Sequence, residues 1–255
     1  MDNFEITGWY LWPCAPRSGA FNMAADHYLA RQSGKLLDRP LLRFYTWQPW
    51  CISLGYHQKE TELNLSRCRE ENIDVVRRPT GGRAILHAEE LTYSVIYPFH
   101  HLEISDFYRL VHQPFVDALQ PLGVPACFQE VQPDLRGLQR SDSGSACFAG
   151  SARHEVEAQG RKLIGSAQRV YEKAILQHGS LLLGPQHEQL ADFLNLPPDK
   201  AEAVRRHIRQ HTAHVRQYCP QATAGKLADR VRIKFEERFG IRFERFIPVI
   251  KFETG

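Results

Sequence analysis

Hydrophobic and polar positions follow two different periods along the chain, and each period predicts a type of element. Residues 22–32 place apolar side chains at helical spacing, which predicts an amphipathic helix capped by Asn22. Helices are also predicted over residues 63–72 and 106–122. Short runs rich in aromatic and β-branched residues, bounded by turn residues, predict strands instead. These runs are PLLRFYTW, CISLGY, IDVVRR and LTYSVIYP.

The pattern changes from mainly strands to mainly helices near Pro185. Before it, HEVEA and RKLIG flank Gln159-Gly160, which predicts a hairpin, and strand-like composition continues to Leu183. After it come the helical segments HEQLADFLNL, DKAEAVRRHIRQHTAHVRQ and GKLADRVRIKFEERFG, then the strand candidate IRFERFIPVIKF. We therefore expect an α/β (α+β) chain with a core over residues 1–185 and a helical extension over 186–255 packed on the same domain.

The composition and the distribution of apolar residues indicate where in the cell the protein is expected. The chain has 255 residues, 43% of them hydrophobic and 24% charged, which is typical of a soluble globular protein with a core of its own. The start, MDNFEITGW, has no basic segment followed by an apolar run, and no apolar run approaches the roughly 20 residues that span a bilayer. These features predict a cytoplasmic protein without a membrane span.

The cysteines and the net charge do not indicate a metal or a nucleic acid. The six cysteines form no C-x-x-C pair and no zinc spacing, so we expect reduced thiols and no metal. The net charge of +3 is mild, although basic residues crowd the segment RRHIRQHTAHVRQ. There His207, His211 and His214 follow helical spacing without a carboxylate to complete a metal site. A solvated basic face and a docking surface for an acidic protein both remain open.

The segment VVRRPTGGRAILH is the first candidate for chemistry. A predicted strand ends at Gly81-Gly82, where the missing side chains let a ligand approach the backbone closely. Arg77, Arg78 and Arg83 supply positive charge beside it. These residues favour a loop that wraps an elongated ligand with a polar or anionic end, and an ordinary turn with a solvated surface is the alternative.

Two further segments carry candidate groups. Cys147 lies among small residues and precedes Lys162 by fifteen positions, and a nearby ammonium activates a thiol as a nucleophile by stabilising its thiolate. A buried packing cysteine beside a surface lysine is the alternative. His178, in LQHGSLLL, is either a polar anchor at the edge of an apolar pocket or a hydrogen-bonded core histidine.

Six segments in this order resemble the superfamily of lipoate and biotin protein ligases and octanoyltransferases. They are NMAADHYL, LLRFYTWQPWCISLGYHQ, VVRRPTGGRAILH, ELTYSV, GRKLIGSAQRV and LQHGSLLL, and the resemblance as a whole runs from about Gly8 to Leu183. The resemblance implies a mixed, largely antiparallel sheet flanked by helices, like the catalytic domain of those ligases, with an acyl group in a tunnel over the sheet.

The resemblance also implies roles for particular residues. Positions that match the family's R-R-x-[ST]-G-G loop are expected to wrap the acyl chain; these are Arg78, Thr80, Gly81 and Gly82, with His87 closing the motif. The G-x-K-x-x-G-S-A block puts Lys162 at the acyl carbonyl and is completed by Gly165, Ser166 and Ala167. The H-G-[ST]-L-L block begins at His178.

Two departures separate the possible activities within the superfamily. Ligases resemble R-R-x-S-G-G-G-A-x-x-H-D, whereas this chain has Arg83 in place of the third glycine and Ala88 in place of the aspartate. The sequence CFAGSARHEVEAQGRKLIGSAQ is similar to the ligase-like octanoyltransferases of the LipM type, which carry C-F at Cys147-Phe148. That similarity implies that Cys147 is a catalytic nucleophile. Ala88 stands where an acidic residue is expected in this class too.

The implied reaction moves octanoate from octanoyl–acyl carrier protein through a thioester on Cys147 to a lysine of a lipoyl domain or of glycine-cleavage H protein. It needs no cofactor, nucleic acid or membrane. The alternatives are an ATP-dependent lipoate–protein ligase, an amidotransferase that moves octanoyl between lipoyl domains, and an inactive member that binds lipoate or biotin as a sensor. A nucleic-acid-binding protein fits the mild charge less well.

Overall fold

An eight-stranded sheet forms the centre of the fold in the computed structural model, which describes residues 8–98, 104–128 and 155–248. In spatial order its strands are β11 (Arg242–Arg245), β1 (Gly8–Arg17), β2 (Leu41–Trp47), β6 (Glu90–Pro98), β10 (Ala174–Leu182), β9 (Arg161–Val170), β8 (Val156–Ala158) and β7 (Ala126–Phe128). β1 runs parallel to β11 and β2, and the other neighbours are antiparallel. The predicted mixed, largely antiparallel sheet is confirmed.

A second sheet of three strands carries the loop that the sequence analysis singled out. It consists of β4 (Asp74–Arg77), β3 (Cys51–Leu54) and β5 (Ile85–His87), in that order. β3 is parallel to β4 and antiparallel to β5. The arginine–glycine segment connects β4 to β5, so it closes over the end of this small sheet.

The helices cover the sheets. They are α1 (Gly19–Arg31), α2 (Leu65–Glu70), α3 (Ile104–Leu119), α4 (Pro198–His211) and α5 (Ala224–Phe239), with short 3-10 segments at Glu60–Glu62, Gln120–Leu122, Pro185–Phe193 and Val215–Gln217. α5 packs on α3, where Phe115 and Phe235 share one apolar cluster with Trp9. None of the helices in the described ranges is long and apolar enough to cross a membrane.

The start of α1 corrects the predicted cap. Ser18 is the capping residue, because its hydroxyl accepts a hydrogen bond from the Phe21 amide, and the helix begins at Gly19. Asn22 is buried inside the helix, and its side-chain oxygen accepts a hydrogen bond from Arg43 at 2.5 Å. The prediction of Asn22 as a cap is therefore wrong, because a buried cation takes up its oxygen.

A buried ion pair ties α1 to the central sheet. The Arg43 guanidinium on β2 donates to Asp26 at 2.6 Å, and both side chains are almost fully enclosed. Asp26 also accepts from the hydroxyls of Tyr45 and Ser94. The guanidinium lies 4.0 Å from the centre of the Tyr45 ring and 4.5 Å from that of Trp12. This arrangement satisfies both charges at a site that water does not reach.

Two helical predictions near the C-terminal end change in the structure. Residues Pro185–Phe193 form a 3-10 segment rather than an α-helix. α4 ends at His211 because Thr212 turns into an extended conformation and donates its hydroxyl to the Ile208 carbonyl. His214 therefore lies outside the helix face shared by His207 and His211. Within the described ranges, no group of three or more potential ligands could hold a metal ion.

Candidate active site

Arg78 shapes the loop between β4 and β5. It is 3% exposed, and its guanidinium donates to the carbonyl oxygens of Ser53, Gly81 and Arg83 at 2.7 to 3.1 Å. Three carbonyl groups from two segments thus converge on one planar cation, whose donors are fixed in direction. Arg78 therefore holds the arginine–glycine loop against β3. The sequence alone predicted a role in ligand binding and did not reveal this structural role.

Two glycines allow this loop to close. A β-carbon on Gly55 would lie 1.8 Å from the carbonyl oxygen of Gly82, so the two backbones touch directly. Gly82 also has a φ of +96°, a conformation that side chains disfavour. At Gly81 a β-carbon would meet no atom of the described chain within 4 Å. Gly55 and Gly82 are required by packing, whereas Gly81 faces open space.

Thr80 connects the loop to the central sheet through His178. The Thr80 hydroxyl lies 2.7 Å from Nε2 of His178, and both residues are buried. Burial lowers the pKa of His178 to about 4. The Asp26 charge opposes this shift, and the smaller effects of the Arg78 and His87 charges add to it. His178 is accordingly neutral near pH 7 and acts as a hydrogen-bonding group.

His87, at the end of β5, joins a second polar group. Its Nε2 lies 2.7 Å from the Ser53 hydroxyl and its Nδ1 lies 2.8 Å from Oε1 of Glu90. The indole of Trp47 stacks on the imidazole at 4.0 Å and donates to the same carboxylate. Burial by itself raises the pKa of Glu90, but the charge and hydrogen bonds of His87, Thr92 and Ser180 hold the net pKa below its ordinary value.

These elements enclose a cavity between the two sheets. It holds about 390 Å³ of empty space, counting its opening to solvent. Its lining consists of Met23, Tyr45, Trp47, Ser53, Arg78, Ile85, His87, Thr92, Gly165, Ser166, Ala167, His178, Gly179 and Ser180. The walls combine aromatic and aliphatic surface with a few polar groups, which suits an apolar chain with a polar end.

Most of the residues predicted from the sequence meet at this cavity. Arg78, His87, Gly165, Ser166, Ala167 and His178 line it. Thr80 reaches it through the hydrogen bond to His178, and Gly81 and Gly82 belong to the same loop. Lys162 lies on β9 ahead of the lining segment and is not part of the wall. Cys147 lies outside the described residues.

Lys162 is buried in an ion pair. Its Nζ lies 2.7 Å from Oε1 of Glu155, and the two side chains are only 7% and 4% exposed. Its backbone oxygen accepts a hydrogen bond from the Ala213 amide, which attaches β9 to the segment after α4. The sequence pattern identified the lysine but not this partner, because the two residues meet across the hairpin formed by β8 and β9.

One set of contacts at the cavity was not predicted from the sequence. Ser166 Oγ lies 2.9 Å from Nε2 of His112 and 2.8 Å from the phenol oxygen of Tyr93, and these last two atoms are 2.8 Å apart. Gln177 donates to the same phenol at 2.9 Å. We call Tyr93, His112, Ser166 and Gln177 the hydroxyl–imidazole cluster. Tyr93, Ser166 and Gln177 lie in the segments recognised from the sequence, whereas His112 comes from an ordinary-looking amphipathic helix.

The basic helix that suggested a docking surface is largely paired. Arg205 pairs with Asp192 at 2.5 Å and with Glu202, and Arg209 pairs with Glu188 at 2.8 Å. Arg206 is exposed. These contacts reduce the net positive charge that the helix presents, and the docking surface stays a prediction.

Comparison with known proteins supports a family assignment. The model of the lipoyl protein ligase A/B catalytic domain matches residues 18–236. An octanoyltransferase LipM from Kyrpidia tusciae is 36% identical over 247 residues, which covers 92% of this chain and 89% of the relative. The octanoyltransferase LipM of Bacillus subtilis is 34% identical over 230 residues, covering 87% and 81%.

Solved structures share the fold. A bipartite lipoate protein ligase from Thermoplasma acidophilum superposes with a TM-score of 0.76 at 22% identity, over 95% of this chain and 87% of the other. A lipoate-protein ligase A bound with ATP gives a TM-score of 0.73 at 21% identity, over 94% and 90%. At such identities the likeness concerns the fold.

Proposed function

The chain belongs to the family of lipoyl protein ligase A/B catalytic domains and is an octanoyltransferase of protein lipoylation, and we propose that it receives octanoate from octanoyl–acyl carrier protein and transfers it through a thioester on Cys147. The acceptor is a lysine of a lipoyl domain or of glycine-cleavage H protein. The activity rests on the curated octanoyltransferases that match most of the chain. What we propose beyond that activity is the identity of the acyl donor and the thioester intermediate on Cys147.

The cavity is the structural observation that carries the proposal. Its apolar walls from Met23, Tyr45, Trp47 and Ile85 suit an octanoyl chain, because burying each methylene group contributes about 0.8 kcal/mol. Its polar side, formed by β9 and His178, suits the carbonyl end. Amide groups around Gly165 and Ala167 would stabilise the oxyanion that develops during acyl transfer.

The proposed reaction has two steps. The thiolate of Cys147 attacks the carbonyl carbon of the donor thioester, a new C–S bond forms, and the bond to the carrier sulfur breaks as the carrier leaves as a thiolate. The amine of the acceptor lysine then attacks the acyl-enzyme, the C–N bond forms and the C–S bond breaks, and the proton that the amine loses passes to the departing Cys147 thiolate. The first step exchanges one thioester for another and the second is downhill to an amide, so neither step requires ATP.

The buried charge of Lys162 fits the first step. The Lys162–Glu155 pair holds an ammonium on the strand that lines the cavity, four residues before Ser166. A fixed ammonium stabilises a thiolate and a developing oxyanion without needing to reorganise. Ion pairing keeps this cation in place before a substrate arrives.

Intact-mass measurement tests the proposal directly. The protein is incubated with octanoyl–acyl carrier protein, without ATP or acceptor, and we expect a gain of one octanoyl group that hydroxylamine removes. Cys147→Ser abolishes the gain, whereas Cys127→Ser, at an exposed cysteine, keeps it. If transfer occurs only with ATP and free octanoic or lipoic acid, the protein is a ligase instead. Preference for an octanoylated H protein as donor over the acyl carrier protein would identify an amidotransferase.

A further inference from the structure

The hydroxyl–imidazole cluster provides a path for a proton at the cavity wall. Ser166 is its partly exposed member and lines the cavity, whereas His112, Tyr93 and Gln177 are fully buried behind it. Each contact between Ser166, His112 and Tyr93 is 2.8 or 2.9 Å long, which is the normal range for hydrogen bonds. A surface hydroxyl is thus connected to an imidazole that solvent does not reach.

The absence of a side chain at Gly179 leaves space for these contacts. β9 and β10 pair Ser166 with Gly179, and a β-carbon at Gly179 would lie 2.2 Å from the Ser166 hydroxyl and 2.8 Å from the Tyr93 ring. The glycine therefore lets the serine hydroxyl lie across the neighbouring strand toward His112. Packing accounts for the glycine, but it does not require a serine at 166 or a histidine at 112.

Counting protons shows what the cluster can do. The phenol of Tyr93 stays protonated because burial raises its pKa, with smaller contributions from Tyr108 and from the Glu155 carboxylate that pairs with Lys162. It accepts from the amide of Gln177 and has one proton to donate, to either His112 or Ser166. A neutral His112 that carries its own proton on Nδ1 can accept the proton of Ser166 at Nε2. His112 and Ser166 together can then hold one additional proton.

We propose that His112 is a positioning residue that takes the proton of the acceptor lysine through Ser166 during the second step of the reaction. The inference rests on the proposed acyl-enzyme mechanism. The lysine nitrogen bonds to the acyl carbon and the C–S bond breaks. At the same time the nitrogen's proton passes to Ser166 Oγ while the original Ser166 proton passes to His112 Nε2. The proton then returns by the same path to the departing thiolate, so His112 and Ser166 end unchanged.

The chemistry of the second step requires such a group. An amine that attacks a thioester must lose a proton to form a stable amide, and a general base contributes typically 10² to 10⁴-fold to such a step. Histidine is the side chain whose ordinary titration lies closest to neutral pH. The other imidazoles at the cavity are less suited, because His178 bonds to Thr80 and His87 is held by Glu90 and Ser53.

A pH profile of the isolated second step tests the inference. Octanoyl-enzyme is mixed with a lipoyl domain, and single-turnover transfer is followed from pH 5.5 to 9. In the wild type both the amine and His112 must be deprotonated, so the logarithm of the rate rises with slope 2 at low pH and slope 1 above the titration of His112. His112→Gln retains a hydrogen-bonding group but no base, so we expect slope 1 throughout and a rate about 10² to 10⁴-fold lower near neutral pH.

Further variants separate this role from a structural one. Ser166→Ala interrupts the path without changing α3, and we expect the same loss of the steeper limb. His187→Gln, at a buried histidine that bonds to Thr212 away from the cavity, keeps the wild-type profile. If His112→Gln does not fold, Ser166→Ala alone decides. Acyl-enzyme that forms normally and transfers with an unchanged profile in Ser166→Ala overturns the inference, whereas absence of any acyl-enzyme in the wild type overturns the proposed function itself.

Discussion

The ammonium of Lys162 lies 2.7 Å from a carboxylate oxygen of Glu155, and both side chains are buried. This pairing means that removing either residue alone leaves a charge in a site of low polarity. Breaking a buried pair in this way costs about 3 to 5 kcal/mol, whereas replacing both partners by apolar residues is often neutral. Loss of activity in a single lysine variant would therefore combine an effect on stability with an effect on chemistry.

Replacing both partners separates the two effects. We expect Lys162→Met to lower the free energy of unfolding by about 3 to 5 kcal/mol and to abolish transfer. The double variant Lys162→Met with Glu155→Leu should regain most of the stability but not the transfer activity. Urea unfolding and the octanoyl transfer assay measure the two quantities. A double variant that transfers at the wild-type rate would remove Lys162 from the mechanism.

Gly179→Ala should destabilise the protein, because the added methyl group would lie 2.2 Å from the Ser166 hydroxyl and 2.8 Å from the Gly165 carbonyl oxygen. Overpacking of this kind costs about 1 to 3 kcal/mol. Gly225→Ala is the matched control: it lies in α5, a β-carbon there meets nothing within 4 Å, and we expect a neutral or slightly stabilising effect. Thermal unfolding compares the two. Equal unfolding temperatures in the two variants would contradict the prediction and show that β9 and β10 move apart at little cost to accommodate the methyl group.

Acid should destabilise the protein partly through His178. Its pKa is about 4 in the folded state and 6.5 ordinarily, so the unfolded chain takes up a proton that the folded chain refuses. This contribution is absent above pH 6.5 and grows as the pH falls, approaching about 3 kcal/mol near pH 4. Glu90, whose pKa is also lowered, adds loss of stability below about its ordinary value of 4.5.

The variant His178→Gln isolates that contribution, because glutamine can retain a hydrogen bond to Thr80 and does not titrate. We expect the difference in unfolding free energy between pH 7 and pH 4.5 to be smaller in the variant than in the wild type. Urea unfolding at both pH values measures it. Identical pH dependence in the two proteins would mean that His178 takes up its proton in the folded state.

Arg43→Met should cost about 3 to 5 kcal/mol of stability, because it leaves the buried Asp26 carboxylate without its cation. Lys234→Met breaks an exposed pair with Glu237 in α5 and should change stability by no more than about 1 kcal/mol. Urea unfolding of both variants gives the comparison. A small effect at Arg43 would show that the buried Asp26 side chain does not depend on this cation.

The elements that the sequence predicted best are those with local signals. The hairpin around Gln159-Gly160 is confirmed, since both residues have positive φ angles that suit a tight turn between β8 and β9. β1 was not predicted. It contains Pro13 and Pro16, and the register shift between Trp12 and Ala15 interrupts its alternation. The strand forms because it pairs with β2 and β11, and these long-range contacts leave no signal in the local sequence.

Candidate site residues with local signals could also be identified from the sequence. Gly82, Thr80 and Ser166 were singled out because glycines and small polar residues form compact blocks that can be compared with a family. The residues that contact Lys162 and Ser166 could not be identified in this way. Glu155 reaches Lys162 across a hairpin, and His112 reaches Ser166 from a helix, so neither contact has a sequence spacing that a local pattern could reveal. Arg78 lines the cavity, and its guanidinium is engaged by loop carbonyl groups, so its binding role stays a prediction.

The parallel pairing of β1 with β11 has a consequence for how the protein is made. Gly8 is aligned with Arg242, so β1 obtains its outer neighbour only after the chain between these two residues has been synthesised. Until then β1 presents an unpaired edge, and Trp9 lacks its contacts with Phe235 and Phe243. An unpaired edge is a template for association with other chains. During synthesis β1 is thus open to association with other chains until β11 has been made and pairs with it.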